Sequence, residues 1–355
     1  MMKRITFCAL LMTLFLLLSC GSGSTKSEDP KTTFLNSIAN LGKGFLDVFT
    51  SLFDMITGAF GIKADTKKED IGKYFTSIET TMNTVKKKLQ DEVATNGNYL
   101  KIKEVVDTFI TNTLDKIADG AKTAATGTTT GDAIGNAVHN QDAVAADATS
   151  VNALVTGIKQ MIGVVLKKGE GNADADATKG DSKKDVGKLF TATTDDNRAD
   201  NAAAQAAAAS IGAVTGADIL QAITKSKENP KADSTDGIEK ATDAAEIAIA
   251  PAVNNKKEIK EAEAKKDAVI AAGIALRAMA KGGKFSIKNN ENEAVSTVNS
   301  AAASAVSKTL GTLMLAIRNT VDNGLKTISE TLATVTQEDK TAEATTPAES
   351  TASGQ

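Results

Sequence analysis

Apolar residues recur along this chain in steps of three and four, and the longest such runs stand near its two ends. Phe34, Ile38, Leu41, Phe45, Val48, Leu52 and Met55 draw one stripe along a helix of about 40 Å. Phe49, Phe53, Ile56 and Phe60 widen it, and Gly58 and Gly61 mark where it frays. Ile71, Phe75, Ile78, Met82, Val85 and Leu89 make a second stripe. Ile102, Val106, Ile110, Leu114 and Ile117, with Phe109 beside them, make a third, and Asn96-Gly97-Asn98 parts the two. The last stripe runs from Val306 through Leu310, Leu313, Ile317, Val321, Leu325, Ile328 and Leu332 to Val335. Each needs a partner to bury it. The economical solution pairs the first and last helices antiparallel, with the second and third completing a bundle; a coiled-coil homodimer would use the same stripes, so monomer and homodimer both stay open.

Between these pillars, apolar helical stretches at 151–166, 210–224, 238–250 and 267–280 alternate with segments that carry no stripe. Those separators, 119–149, 169–185, 192–206, 225–237 and 281–293, are rich in Ala, Thr, Asp, Lys, Gly and Asn. Few of their side chains are expected in a core, so their surface can be rewritten without unfolding the body. With four Pro, no Trp and two Tyr, and no alternating run of Val, Ile and aromatic residues, the composition favours helix over sheet. The fold expected is all-α: an elongated helical bundle with N- and C-terminal helices paired near a membrane and variable loops at the distal end. It spans 31–337 as one domain, and the Thr-, Glu-, Ala- and Ser-rich tail at 338–355 reads as disorder.

The membrane enters through the first twenty residues. Lys3 and Arg4 precede an apolar run from Ile5 to Leu18, so 1–19 reads as an export signal, too short at roughly 21 Å to span a bilayer core of about 30 Å. Cys8 leaves with the signal, and the mature chain keeps one cysteine, Cys20, which excludes an internal disulfide. Leu17-Leu18-Ser19-Cys20 resembles the bacterial lipobox, which implies cleavage between Ser19 and Cys20 and a diacylglyceryl and an N-acyl lipid on the Cys20 sulfur and amine. Residues 20–30 then form a flexible tether. Loss of Lys3 and Arg4 leaves 39 basic residues against 44 acidic ones, a mild excess that does not suggest nucleic acid as a partner.

Candidate chemistry is sparse. His139 is the single histidine and lies in a polar separator, where a solvated side chain is the expectation. Asn172, Asp174 and Asp176 occupy the first positions of a calcium-loop pattern, but Ala177 and Lys183 replace its turn glycine and its bidentate acid. No phosphate-loop motif accompanies Gly42-Lys43-Gly44 or Gly282-Gly283-Lys284. The lysine clusters at 86–88, 183–184, 256–257 and 265–266 stand beside acids. An enzyme is not expected, nor is a bound cofactor or metal.

Residues 265–288 read KKDAVIAAGIALRAMAKGGKFSIK, a helix written around Ile274, Ala275, Leu276, Arg277, Met279, Ala280, Lys281, Gly283, Lys284 and Phe285. This stretch, with the lipobox, the Phe-rich first helix and the alternating blocks, resembles the variable large protein family of relapsing-fever Borrelia, related to the VlsE surface antigen. The resemblance implies a lipoprotein of the cell outer membrane that faces the exterior and meets host antibodies. It also implies antigenic variation, in which the expressed copy is replaced to evade them. An alternative is an adhesin that binds host glycosaminoglycan or a serum protein through a Lys-rich face. Read from its residues alone, 267–280 is apolar almost all round and belongs among neighbouring helices, stopped by Gly282 and Gly283 with Lys281 and Lys284 at the negative end of its dipole.

Overall fold

The computed structural model describes residues 30–57, 61–96 and 100–335. Ser19, Cys20, the tether up to 29 and the tail at 338–355 lie outside the described residues, as do the side chains of Leu52, Phe53, Met55, Ile56 and Phe60. The helices are α1 (Pro30–Thr57), α2 (Lys68–Asn96), α3 (Leu100–Phe109), α4 (Asp115–Ala125), α5 (Ala148–Val165), α6 (Asn201–Gly212), α7 (Gly216–Lys225), α8 (Ala244–Ile249), α9 (Asp267–Met279) and α10 (Asn292–Thr334). A π turn, Ile110–Leu114, joins α3 to α4, and 3₁₀ turns lie at Asp181–Phe190, Asp195–Asn197 and Gly237–Lys240. Short strands complete the set: β1 (Val138–His139) pairs in parallel with β4 (Ser286–Ile287), and β2 (Val144–Ala146) pairs antiparallel with β3 (Gly282–Lys284).

Helix α10 is the spine. Its 43 residues make a rod of about 65 Å, and elements from both ends of the chain meet it along its length. At its start His139 Nε2 lies 2.9 Å from Asn292 Oδ1, and two turns on Asn299 Oδ1 accepts the Ala137 N–H at 2.8 Å. Lys308 Nζ donates to the carbonyls of Ile211 and Val214 at 2.7 and 2.9 Å, closing the end of α6. Lower down, the Phe109 ring packs directly against Gly324, and Gly42 of α1 faces Leu325. At the foot, Lys31 Nζ donates to Ala333 O and Val335 O at 3.1 and 3.0 Å, so the first residues of α1 cap the last turn of α10.

The long stripes explain the lower half. Phe34, Ile38, Leu41, Phe45 and Val48 of α1 are buried, as are Ile71, Phe75, Ile78, Met82, Val85 and Leu89 of α2 and every apolar step of the last stripe from Val306 to Leu332 in α10, with Val335 just past its end. With α3 and α4 they make a bundle in which α1 and α10 run antiparallel. The upper half packs α5, α6, α7 and α9 against α10, with α8 seated on α9. Helix starts there are fixed by side-chain acceptors: Asp147 for α5, Asp200 for α6, a reciprocal Thr215–Asp218 box for α7 and Asp243 for α8.

Four separators depart from the sequence reading. Segment 119–149 carries the second half of α4 and buries Ala121, Ala124, Ile134, Ala137, Ala143 and Ala146. Segment 192–206 holds the start of α6, whose buried face is built from Ala203, Ala204, Ala206 and Ala207. In 281–293, Phe285, Ser286 and Ile287 are buried and two strands form. Lys183 within 169–185 is buried as well. Alanine and short strands can fill a core where a stripe of large residues is absent. Segment 225–237, by contrast, is exposed over most of its length. The stretch at 210–224 is two helices meeting at 99°, and 238–250 is a 3₁₀ turn followed by the six residues of α8.

Candidate functional site

All thirteen residues of α9 are buried, including Asp267 and Arg277. Gly273 lets α8 come close: a Cβ there would stand 2.5 Å from Ile247 Cγ2. Arg277 is among the largest fully buried side chains of the described residues, and no carboxylate among them pairs with it. Its Nε donates to Lys284 O at 3.2 Å, and Nη1 donates to Ala248 O and Ala250 O at 3.1 and 3.0 Å. The Phe190 ring centroid lies 5.0 Å from its guanidinium carbon, a cation–π contact that helps hold the charge where Nη2 finds no acceptor. Burial lowers the guanidinium to about 9. A ligand cannot reach it.

The end of α9 is closed by a cation from elsewhere. Lys68, at the start of α2, donates to Arg277 O, Ala280 O and Gly283 O at 3.2, 2.7 and 3.1 Å, and also to Gly282 O. Lys281 is exposed instead and Lys284 half-exposed, so the expected dipole partners within the motif give way to Lys68. Burial lowers the Lys68 ammonium to about 7; the Asp132 carboxylate opposes the shift, and Arg277 and Lys284 add to it. Gly282 and Gly283 turn the chain at φ of 73° and 57°, a region that glycine adopts without strain. From there Lys281 N–H reaches Gly127 O at 3.1 Å, and Asp147 N–H reaches Lys281 O at 2.9 Å. Residues 274–285 thus sit where α2, α5, α8 and the 126–147 segment converge, with Ile274, Ala275, Leu276, Met279, Ala280, Gly283 and Phe285 all buried.

A Borrelia lipoprotein family model matches residues 45–332. Variable large protein 17 of Borrelia hermsii is 73% identical over 100% of this chain and 99% of its own length, and variable large protein 4 of the same organism is 65% identical over the whole of both. The chain belongs to the Borrelia lipoprotein family, among its variable large proteins. The crystal structure of the Lyme disease variable surface antigen VlsE of Borrelia burgdorferi is similar at a TM-score of 0.67 and 33% identity, covering 84% of this chain and 99% of that one.

For a variable large protein, the division between the buried motif and its polar surroundings is the informative geometry. The motif helix packs against α6, α7, α8 and α10 as well as α2 and α5, and polar stretches such as 226–236 stay mostly outside the core. The acidic loop at 172–183 is closed by lysines rather than open to a cation. Lys183 sits at the position where a calcium loop has its bidentate acid, bonded to Asp176 and 3.6 Å from Asp267 Oδ1. Lys225 takes Asp174 at 2.6 Å. His139 is half-buried, not simply solvated. Its Nδ1 meets Lys288 O at 3.0 Å and its Nε2 meets Asn292 Oδ1, and these two bonds raise its pKa above the usual value. Sequence reasoning missed Lys68, Lys183 and Arg198 as structural cations. Their partners lie up to 215 residues away, and no local pattern in the sequence sets these cations apart from the other basic residues.

Proposed function

We propose that this protein is an outer-surface lipoprotein antigen, held in the outer membrane by diacylglyceryl and N-acyl lipid on Cys20 after cleavage behind Ser19, and that it serves evasion of host antibody by antigenic variation. The observation that carries this reading is the split just described. The motif that resembles the family most is sealed in the core, and exposed polar segments such as 226–236 hang from it with little apolar burial of their own. Such a body keeps its fold while its surface changes. The antiparallel pairing of α1 with α10 brings residue 31 and residue 335 to one end, which suits an anchor a few residues before α1.

The test uses cells that display the full chain. Brief protease treatment of intact cells should remove the protein, and mass spectrometry of the mature N-terminus should find the acyl masses on Cys20. Antiserum to this chain should lose most binding on cells switched to a variable large protein about a third identical to it. Protection from protease, or a bare Cys20, would overturn the reading. The adhesin reading draws no support from the lysine clusters, because acids meet them: Lys86 with Asp115 at 2.7 Å, Lys256 with Asp236 and Glu239, and Lys266 with Asp176 at 3.5 Å.

A further inference from the structure

At the Asn292 end of α10, three segments far apart in sequence are tied into one knot: 138–142, 193–196 and 286–293. Arg198, with a side chain 9% exposed, stands behind them. Its Nε donates to Gln141 O at 3.3 Å, Nη1 to Asn140 Oδ1 at 3.2 Å and Asp195 Oδ1 at 3.5 Å, and Nη2 to Asp142 Oδ1 at 3.0 Å. The segments also bond to one another in every combination. Asp142 accepts the Thr193 N–H at 3.1 Å, Asp195 accepts the Asn289 N–H at 2.8 Å, and Ser286 Oγ donates to Gln141 O at 2.8 Å. His139 brackets Lys288 and Asn292 from the other side.

We infer that these segments form a single discontinuous surface that an antibody paratope reads as one unit, with Arg198 as the buried clamp that assembles it. This rests on the antigen reading above and adds where and how an antibody binds. Size argues for the composite. A standard interface takes about 20–30 residues a side, whereas the segments hold 5, 4 and 8 residues, Ser286 and Ile287 of the last being buried; none is large enough alone, and only together do they come near one footprint. Position argues for it too, because the knot lies a full α10 length, about 65 Å, from the end where Lys31 caps Val335. So does chemistry. The outward residues Gln141, Asp142, Thr193, Asp196, Asn289 and Asn290 offer amides, hydroxyls and carboxylates, which suit the Tyr-, Ser-, Asn- and Arg-rich loops of a paratope. Glu291 and Glu293 make the rim acidic, which disfavours a sulfated glycan. The clamp also orders the segments in advance, so binding loses less to ordering.

The test takes monoclonal antibodies raised against the folded full chain and selects those that lose binding to Asn289→Arg. Most of these should lose at least tenfold in affinity to Gln141→Arg and also to Thr194→Arg. They should fail to bind isolated peptides covering 136–143, 191–197 or 285–293. Arg198→Met should weaken them similarly while circular dichroism stays helical; Asp142→Ala, which removes one clamp contact at the surface, serves if Arg198→Met does not fold. Antibodies that bind one peptide nearly as well as the protein, and ignore both the other segments and the clamp variants, would overturn the inference while leaving the antigen reading intact. So would failure to find any antibody sensitive to Asn289→Arg in a panel that does stain intact cells. A panel that stains no intact cell would instead sink the antigen reading.

Discussion

Lys68 and Arg277 show how this fold places charge inside itself. Both are buried cations, and both are held by backbone carbonyls rather than by carboxylates in direct contact. Carbonyls at a helix end carry partial negative charge and otherwise lack partners, so a lysine arriving from another helix satisfies several at once. Desolvation is the cost, and it appears as the lowered pKa of Lys68, from 10.5 to about 7. Between those values the unfolded chain binds more proton than the folded one, so Lys68 makes folding more favourable as pH rises from 7 towards 10.5, and that contribution is lost as pH falls through 7. Urea unfolding of the wild type at pH 7 and pH 9.5, set against Lys68→Met, should show the difference. The wild type gains stability relative to the variant at the higher pH, by no more than about 1.4 kcal/mol per unit. Parallel curves for the two proteins would mean that the buried amine does not titrate in this range.

At the scale of elements, the sequence was most readable where large apolar residues keep a helical period. The stripes of α1, α2 and α10 translate directly into buried faces because a period of three and four over many turns leaves one solution. Helix α6 escaped because its buried face is alanine; NAAAQAAAASIG has no contrast in size or polarity from which to read a period. Strands of two or three residues are too short to show alternation, and their pairing across more than a hundred residues is a product of the tertiary fold. Close helix crossings were equally hidden, since glycine marks both breaks and contacts. Gly157 of α5 faces Gly120 of α4, where a Cβ would stand 2.4 Å from the Gly120 carbonyl oxygen and 2.6 Å from Ala124 N. Gly163, less than two turns further along the same helix, faces open space. Gly157→Ala should therefore lower the unfolding free energy by about 1–3 kcal/mol, and Gly163→Ala should raise it by about 0.5–1 kcal/mol. Equal effects in chemical denaturation would contradict the close crossing.

Across the whole molecule, the two halves share one helix, and that sharing has a consequence for how the protein opens. The lower bundle buries the second half of α10 and the upper half buries the first, with no break between Asn292 and Thr334. Unfolding either half alone would strip one side of a continuous helix and expose a run of apolar residues, either Ala294 to Val306 or Leu310 to Leu332. At about 25 cal/mol per Å² of apolar surface, such a half-open state is strongly disfavoured. Native-state hydrogen exchange should therefore give amides in Ile270–Leu276 of α9 and in Met82–Leu89 of α2 the same highest protection, both exchanging only by global opening. Amides in 231–235, exposed and without apolar packing, should exchange orders of magnitude faster. If α2 instead exchanged through a cheaper opening while α9 stayed protected, the halves would be separate cooperative units, joined into one neither by α10 nor by the crossing of α4 with α5.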